Sequence, residues 1–325
     1  MLPLRVQIYS LVLHGRGGKD EGMTRRDALL AALVATIWGV NFVVIDWGMK
    51  GVPPLVFAAV RFTLVAVPAV FFLPRPRVPL WQVVAVGLGT WAGQYCFLYA
   101  SIGAGMPPGL ASLVLQAQVA LTIVFAVIAL REPPTRGQLI GVALGVVGLV
   151  VVAIGRGGHV PAGALLLCLC ASVSWAIGNV VSRAAKVPGG LGLAAWGALV
   201  AALPSYLVAA LVDGAHVYGV AWHAFGWQAV VSTAYTVVLS SLTGFGIYNG
   251  LLSRYPSSTV VPWVLLVPPI GIAAAWLLLG ERPTLAEMLG GAVLVAGVLV
   301  AQRSPATQVA PHAADEDAPV SAVRP

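Results

Sequence analysis

Glu132-Pro133-Pro134-Thr135 runs straight into an apolar stretch over residues 137–155, and 149 residues later Glu281-Arg282-Pro283-Thr284 runs into another over 285–302. About 20 mostly apolar residues are what an α-helix needs to cross the hydrocarbon core of a bilayer. The same offset relates Tyr99 to Tyr248, Pro107 to Pro256, Gly141 to Gly290 and Gly148 to Gly297. Nearer the start of each half the offset shrinks, so that Trp38, Asn41 and Pro68 correspond to Trp175, Asn179 and Pro204. The chain is an internal duplication, and its repeated unit is hydrophobic.

Working outward, eight more apolar runs cover about 28–47, 55–73, 81–102, 109–130, 162–182, 191–212, 227–251 and 257–279. Prolines mark the breaks: Pro53-Pro54, Pro74 to Pro79, Pro107-Pro108, Pro133-Pro134, Pro161, Pro188, Pro256 and Pro283. The run over 227–251 is the most polar, with Ser240, Ser241, Thr243 and several glycines. The fold expected is therefore an all-α integral membrane protein with ten transmembrane helices over 23–303, in repeats of about 24–157 and 160–303. Five spans per repeat is odd, so the second repeat must enter the membrane upside down, the arrangement of carriers whose halves rock around a midplane site. Continuous rather than alternating apolar runs exclude a β-barrel.

Composition agrees. Of 325 residues 59% are hydrophobic and 9% charged, against about 25% charged in a soluble domain. The net charge of +7 does not indicate nucleic acid, because the basic residues sit between apolar runs and read as topology signals. Arg25, Arg26, Arg75, Arg77, Arg131, Arg136, Arg183, Lys186, Arg254 and Arg303 fall on one side, and Lys50, Arg156 and Arg282 on the other. This bias predicts cytoplasmic termini. Residues 1–22 contain only a short apolar stretch and are expected to be disordered, with Met23 as a natural start. Residues 304–325, rich in Ala, Pro and Asp, are expected to form a disordered cytoplasmic tail. Cys96, Cys168 and Cys170 lie inside apolar runs without disulfide or zinc spacing and read as small buried hydrophobes. No cofactor or metal is expected. Three Lys beside fifteen Arg points to a GC-rich genome and a bacterial inner membrane.

From Met23 to Arg303 the pattern resembles the EamA family of the drug/metabolite transporter superfamily. The resemblance is carried by Trp38-Gly39-Val40-Asn41-Phe42-Val43-Val44-Ile45, Pro53-Pro54-Leu55 with Arg61-Phe62, and Arg75-Pro76-Arg77-Val78-Pro79-Leu80. It is densest over Gly105-Met106-Pro107 and Gly109 through Gln118, with Ser174-Trp175, Gly178-Asn179 and Leu265-Leu266-Val267-Pro268 adding to it. Residues 1–22 have no counterpart. The resemblance implies a monomer or weak oligomer that exports amino acids and related metabolites, cysteine- and O-acetylserine-like compounds first, from the lipid bilayer of the inner membrane. Export of drugs or other small molecules is the alternative within the superfamily.

Such a solute must exchange its hydration for polar and aromatic groups inside the bundle. Trp38 with Asn41, and Trp175 with Asn179, each share a helix face, once per half. They either line a central cavity or glue helices through amide hydrogen bonds. Gln94 and Tyr95 lie deep in the third span and suit a cavity, whereas Tyr99 and its counterpart Tyr248 suit either a cavity or an interfacial anchor. In the fourth span Ser112 and Gln116 share one face and Gln118 and Thr122 another, so one face should line the pathway, Gln116 being favoured, and the other pack on a neighbour. Arg61 lies about 9 Å along the second span from its external end. It either attracts a substrate carboxylate or snorkels to the interface. Gly141/Gly145, Gly290/Gly297 and Ser174/Gly178/Ser182 read as packing seams. Pro262, Pro268 and Pro269 kink the ninth span, by a gate or a static bend, and the fourth span has no such prolines inside it.

An enzyme would need His, Asp, Glu or Cys clustered at membrane depth. His14, His159, His216, His223 and His312 all fall in tails or external loops, and no HExxH or CxxC motif occurs. Nor is there a filter of repeated carbonyls or charged rings that would mark a channel. No carboxylate is expected near the midplane, Asp46 lying near a span end, which argues against proton coupling.

Overall fold

In hydrocarbon the backbone can satisfy its own N–H and C=O groups only within helices or a closed barrel, and among the described residues every candidate span is a helix. The computed structural model describes residues 23–131, 133–155, 160–184, 191–255 and 257–303. Among these, ten helices are long and apolar enough to span a membrane. The first half contains α1 (Arg25–Gly48), α2 (Pro54–Phe72), α3 (Leu80–Gly103), α4 (Pro108–Leu130) and α5 (Arg136–Gly155). The second contains α6 (Ala162–Ala184), α7 (Leu191–Asp213), the short α8 (Val217–Ala224), α9 (Trp227–Arg254), α10 (Thr259–Leu279) and α11 (Leu285–Arg303). The tails expected at 1–22 and 304–325, together with Glu132, Arg156 and Lys186, lie outside the described residues.

The repeated Glu-x-Pro-Thr motif is a helix stop followed by a helix start. Arg131 and Gly280, directly before it, end α4 and α10 in the left-handed region at φ 55° and 73°. Reciprocal capping boxes then open α5 and α11. Thr135 N–H donates to Gln138 Oε1 at 2.9 Å while Gln138 N–H donates to Thr135 Oγ1 at 3.2 Å. Thr284 N–H donates to Glu287 Oε2 at 3.0 Å and Glu287 N–H to Thr284 Oγ1 at 3.2 Å. Each box satisfies two donors that a helix start leaves open. The stretch between Asp213 and Gly226, which lies between the apolar runs over 191–212 and 227–251, holds α8. Val217 and Ala221, four apart, bury one face of it, and Tyr218 Oη donates to the Tyr206 carbonyl at 2.6 Å.

Corresponding helices pack in pairs at the two flanks of the bundle, α5 on α11 and α2 on α7. The first pair approaches backbone to backbone. A Cβ added at Gly141 would sit 2.5 Å from the Gly297 carbonyl oxygen, and one at Gly148 would sit 2.5 Å from that of Gly290. The centre is swapped between halves: α1 packs on α9 and α10, and α6 on α3 and α4. Leu211, Trp222, Phe71, Leu277 and Ile154 are largely bare on the outside, as lipid-facing side chains are.

Candidate functional site

The helices facing the centre depart from regular α geometry at matching places. In the third helix of each half the winding widens to a π-helix, over Gly87–Gly93 in α3 and Tyr235–Gly244 in α9. In the fourth it is interrupted, at Leu115-Gln116 in α4 and Leu265-Leu266 in α10. Both kinds of break release backbone and redirect side chains, and single π turns commonly mark functional sites. Between them lies a cavity of about 410 Å³. Where α6 ends, α7 begins and α11 ends it reaches Ser182, Leu193 and Gln302. In the other direction it stops at Phe42, Leu98, Ser112, Ser240 and Val267, all within their helices.

Of the residues singled out in the sequence, Trp38, Asn41, Gln94, Tyr95, Gln116, Trp175, Asn179 and Tyr248 border this cavity. Trp38 donates from Nε1 to the Ser240 carbonyl at 3.0 Å, and its ring lies 5.1 Å from Phe245 and 5.3 Å from Tyr248. Asn41 is buried and its Oδ1 has no hydrogen-bond partner. Asn179 donates from Nδ2 to Gln118 Oε1 at 3.0 Å and to Thr122 Oγ1 at 3.4 Å. Tyr95 stacks on Trp91 at 6.2 Å and meets Phe62 edge-on at 5.4 Å. The wall sets amide, hydroxyl and aromatic groups among aliphatic side chains such as Val119, Val264 and Leu265, and no charged side chain among the described residues borders it.

Arg61 and Tyr99 are placed behind the wall. Arg61 is 1% exposed and so does not snorkel. Its Nη1 donates to Tyr99 Oη at 3.0 Å, its Nη2 to Ser241 Oγ at 3.1 Å, and its guanidinium lies 4.5 Å from the Tyr95 ring centroid. Tyr99 is fully buried against it, so the interfacial-anchor reading does not apply.

Of the two faces of α4, the one with Gln116 lines the cavity and the one with Gln118 and Thr122 packs on Asn179 of α6, but the two are not cleanly separated. Ser112, Gln116 and Gln118 all border the cavity. Around the interruption, Gln116 N–H bonds to the Leu113 carbonyl and Gln118 N–H to that of Leu115, both at three-residue spacing, which rotates one face onto the other. Likewise the proline asymmetry between α4 and α10 does not give an asymmetric break, because α4 is interrupted at the corresponding place without an internal proline. Thr90, Trp91, Phe245, Asn249 and Gln302 were missed. Trp91 lies four residues before Tyr95 and Phe245 three before Tyr248, spacings that share a helix face.

A second cavity, of about 370 Å³, lies at the opposite end, where Pro107, Gly109 and Ile272 face Glu281 to Thr284. Gly109 N–H donates to Glu281 Oε2 at 3.4 Å. No group of three His, Cys, Asp or Glu placed to hold a metal ion occurs among the described residues.

The model of the EamA-like transporter family matches this chain twice, at residues 26–154 and 162–302. A probable amino-acid metabolite efflux pump of Salmonella typhimurium is 39% identical over 284 residues, covering 86% of this chain and 95% of that protein. Its Escherichia coli K12 counterpart, of the same description, is 38% identical with the same coverage. A probable terminal-alkyne amino-acid exporter of Streptantibioticus cattleyicolor is 28% identical, covering 84% and 92%. A solved crystal structure shares the fold at a TM-score of 0.58 and 21% identity, covering 86% of this chain and 97% of that one.

Proposed function

The chain belongs to the EamA-like transporter family, and from that premise we propose that it exports amino acids and related small metabolites across the inner membrane of a bacterium. It is a multi-pass membrane transporter, not an enzyme. The observation that carries the finer reading is the central cavity. It is large enough for a small amino acid, is built mainly from the first, third and fourth spans of both halves, and is lined by amides, aromatic rings and aliphatic side chains, with no charged side chain among the described residues. Asn and Gln side chains offer both donors and acceptors, so they replace water around an ammonium and a carboxylate alike, and the rings of Trp38, Trp91, Trp175 and Tyr248 suit an apolar side chain. The substrate site is assigned to Trp38, Asn41, Gln94, Tyr95, Gln116, Trp175, Asn179 and Tyr248. The two relatives described as amino-acid metabolite efflux pumps support the substrate class, with cysteine-like and other neutral amino acids first to be tried.

Five spans per half make the repeats inverted, and the basic-residue bias puts both termini in the cytoplasm. The cavity mouth near Ser182 and Gln302 then opens inward, ready to load substrate for export. In a variant lacking the native cysteines, single cysteines at His216 and Lys186 label differently with an impermeant reagent in intact cells, His216 being the accessible one; equal labelling overturns this orientation. Export itself is tested in proteoliposomes loaded with a panel of labelled amino acids. Saturable efflux, accelerated by unlabelled amino acid on the opposite side, is the result expected of a carrier. No flux of any amino acid, with flux of a lipophilic drug instead, overturns the substrate class, and non-saturable flux overturns the carrier mechanism.

A further inference from the structure

Arg61 is the most deeply buried charged side chain described, and every partner it has is neutral. Tyr99 and Ser241 accept its two hydrogen bonds, the Tyr95 ring faces its guanidinium, and its Nε–H has no acceptor. Among the described residues no carboxylate forms an ion pair with it; the ion pair seen there, Asp27 with Arg254, lies at the far end of α1. An unpaired cation inside a membrane protein is expensive, and the Tyr95 face offsets only part of that cost. A charge kept under those conditions projects its field into the cleft beside it, which low-dielectric walls focus. That cleft is the cavity, for Tyr95 touches Arg61 and also borders the cavity. Among the described residues the cavity wall carries no charge that would cancel the field.

We infer that Arg61 is a specificity-determining residue. Acting through Tyr95 without touching the solute, it makes the cavity favour molecules that carry a carboxylate and disfavour those that are only cationic. The carboxylate lies at the Tyr95 and Gln94 side, and the unpartnered Asn41 Oδ1 on α1 takes the ammonium. The inference rests on the proposed function only for the identity of the cavity as the binding site.

The test is equilibrium binding to the purified full chain, read by tryptophan fluorescence, of three probes on one carbon skeleton: isovalerate, isovaleramide and isoamylamine. The wild type is expected to bind the acid about tenfold or more tighter than the amine, with the amide between, tenfold being about 1.4 kcal/mol. Arg61→Gln collapses the order and Arg61→Lys, which keeps the charge, preserves it. Ser241→Asp sets a carboxylate against Nη2 outside the cavity wall and collapses the order with Arg61 in place, so it decides the question even where Arg61→Gln does not fold. A purely structural role weakens all three probes equally. That outcome, an unchanged order in Arg61→Gln or Ser241→Asp, or no order in the wild type, overturns the inference. Wild-type protein that binds in this order but moves no amino acid would sink the exporter reading and leave this one standing; amino-acid transport without the order does the reverse.

Discussion

Gly141 meets the Gly297 carbonyl and Gly297 meets that of Gly141, at 2.5 and 2.7 Å for an added Cβ; Gly148 and Gly290 do the same at 2.5 and 2.6 Å. These glycines correspond through the repeat, so the seam between α5 and α11 is the same on both sides of its centre. The cavity wall comes from the same duplication and is not. Asn179 is tied to Gln118 and Thr122, whereas its counterpart Asn41 leaves an oxygen unpartnered. Trp38 is held by the Ser240 carbonyl at 3.0 Å. Duplicated backbone packing keeps its symmetry because any side chain would part the helices. Around the cavity the symmetry yields, as the proposed binding of an asymmetric solute, whose two ends need different partners, would require.

The seam offers the largest effect. Gly141→Val and Gly290→Val each force side-chain atoms into the opposing backbone, an overpacking cost of about 1–3 kcal/mol or more, and both are expected to lose monodisperse protein in detergent gel filtration. Gly145→Ala, whose added carbon would meet only the Ala120 methyl at 3.7 Å, leaves the elution profile unchanged. A tolerant Gly290→Val beside an intolerant Gly141→Val would break the claimed symmetry.

Next comes the asparagine pair. Asn41→Ala removes an acceptor that no protein group uses, so export falls about tenfold or more while thermal stability holds or rises, consistent with the relief of an unsatisfied buried group. Asn179→Ala strands Gln118 as well, with a stability loss on the order of 0.6 kcal/mol, typical for a hydrogen bond between membrane helices, and a smaller loss of export. Equal losses in both measurements at both positions would mean that the wall is symmetric after all.

The smallest effect expected is at Asp46. No carboxylate among the described residues borders the cavity, so Asp46→Asn and a protonophore should each leave efflux from liposomes nearly unchanged. Uphill accumulation driven by a pH step, abolished by Asp46→Asn, would add a coupled proton to the cycle.

Much of this was legible in the chain. Span length and proline breaks set the ten helices, and the motif around Glu281 set the duplication. The paired Trp and Asn were readable as sharing a face because their spacing holds in any regular helix, but cavity lining and helix gluing stayed open; both pairs border the cavity, and Asn179 also bonds to α4. What failed to show was rotation. Helices that are apolar all round carry no periodic stripe, so the depth of Arg61 was readable but its direction, away from the cavity and onto Tyr99, was not. Gln116 and Gln118 were set on different faces because an unbroken helix was assumed across Leu115-Gln116, where the winding tightens without a proline. The π segments of α3 and α9 shift the register in the same silent way, and the polarity of the run over 227–251 did not reveal it.

The central claim is that solute occupies the cavity between α1, α9 and α10 on one side and α3, α4 and α6 on the other. It is tested most directly by the alkylation rate of single cysteines at Ser182 and Asn249, on a background without Cys96, Cys168 and Cys170, with and without a transported amino acid. The account predicts that the amino acid slows both rates severalfold, and leaves unchanged the rate of a cysteine at Ile272 in the second cavity. Unprotected cysteines at Ser182 and Asn249, with protection at Ile272, would contradict it and move the pathway to the other end of the bundle.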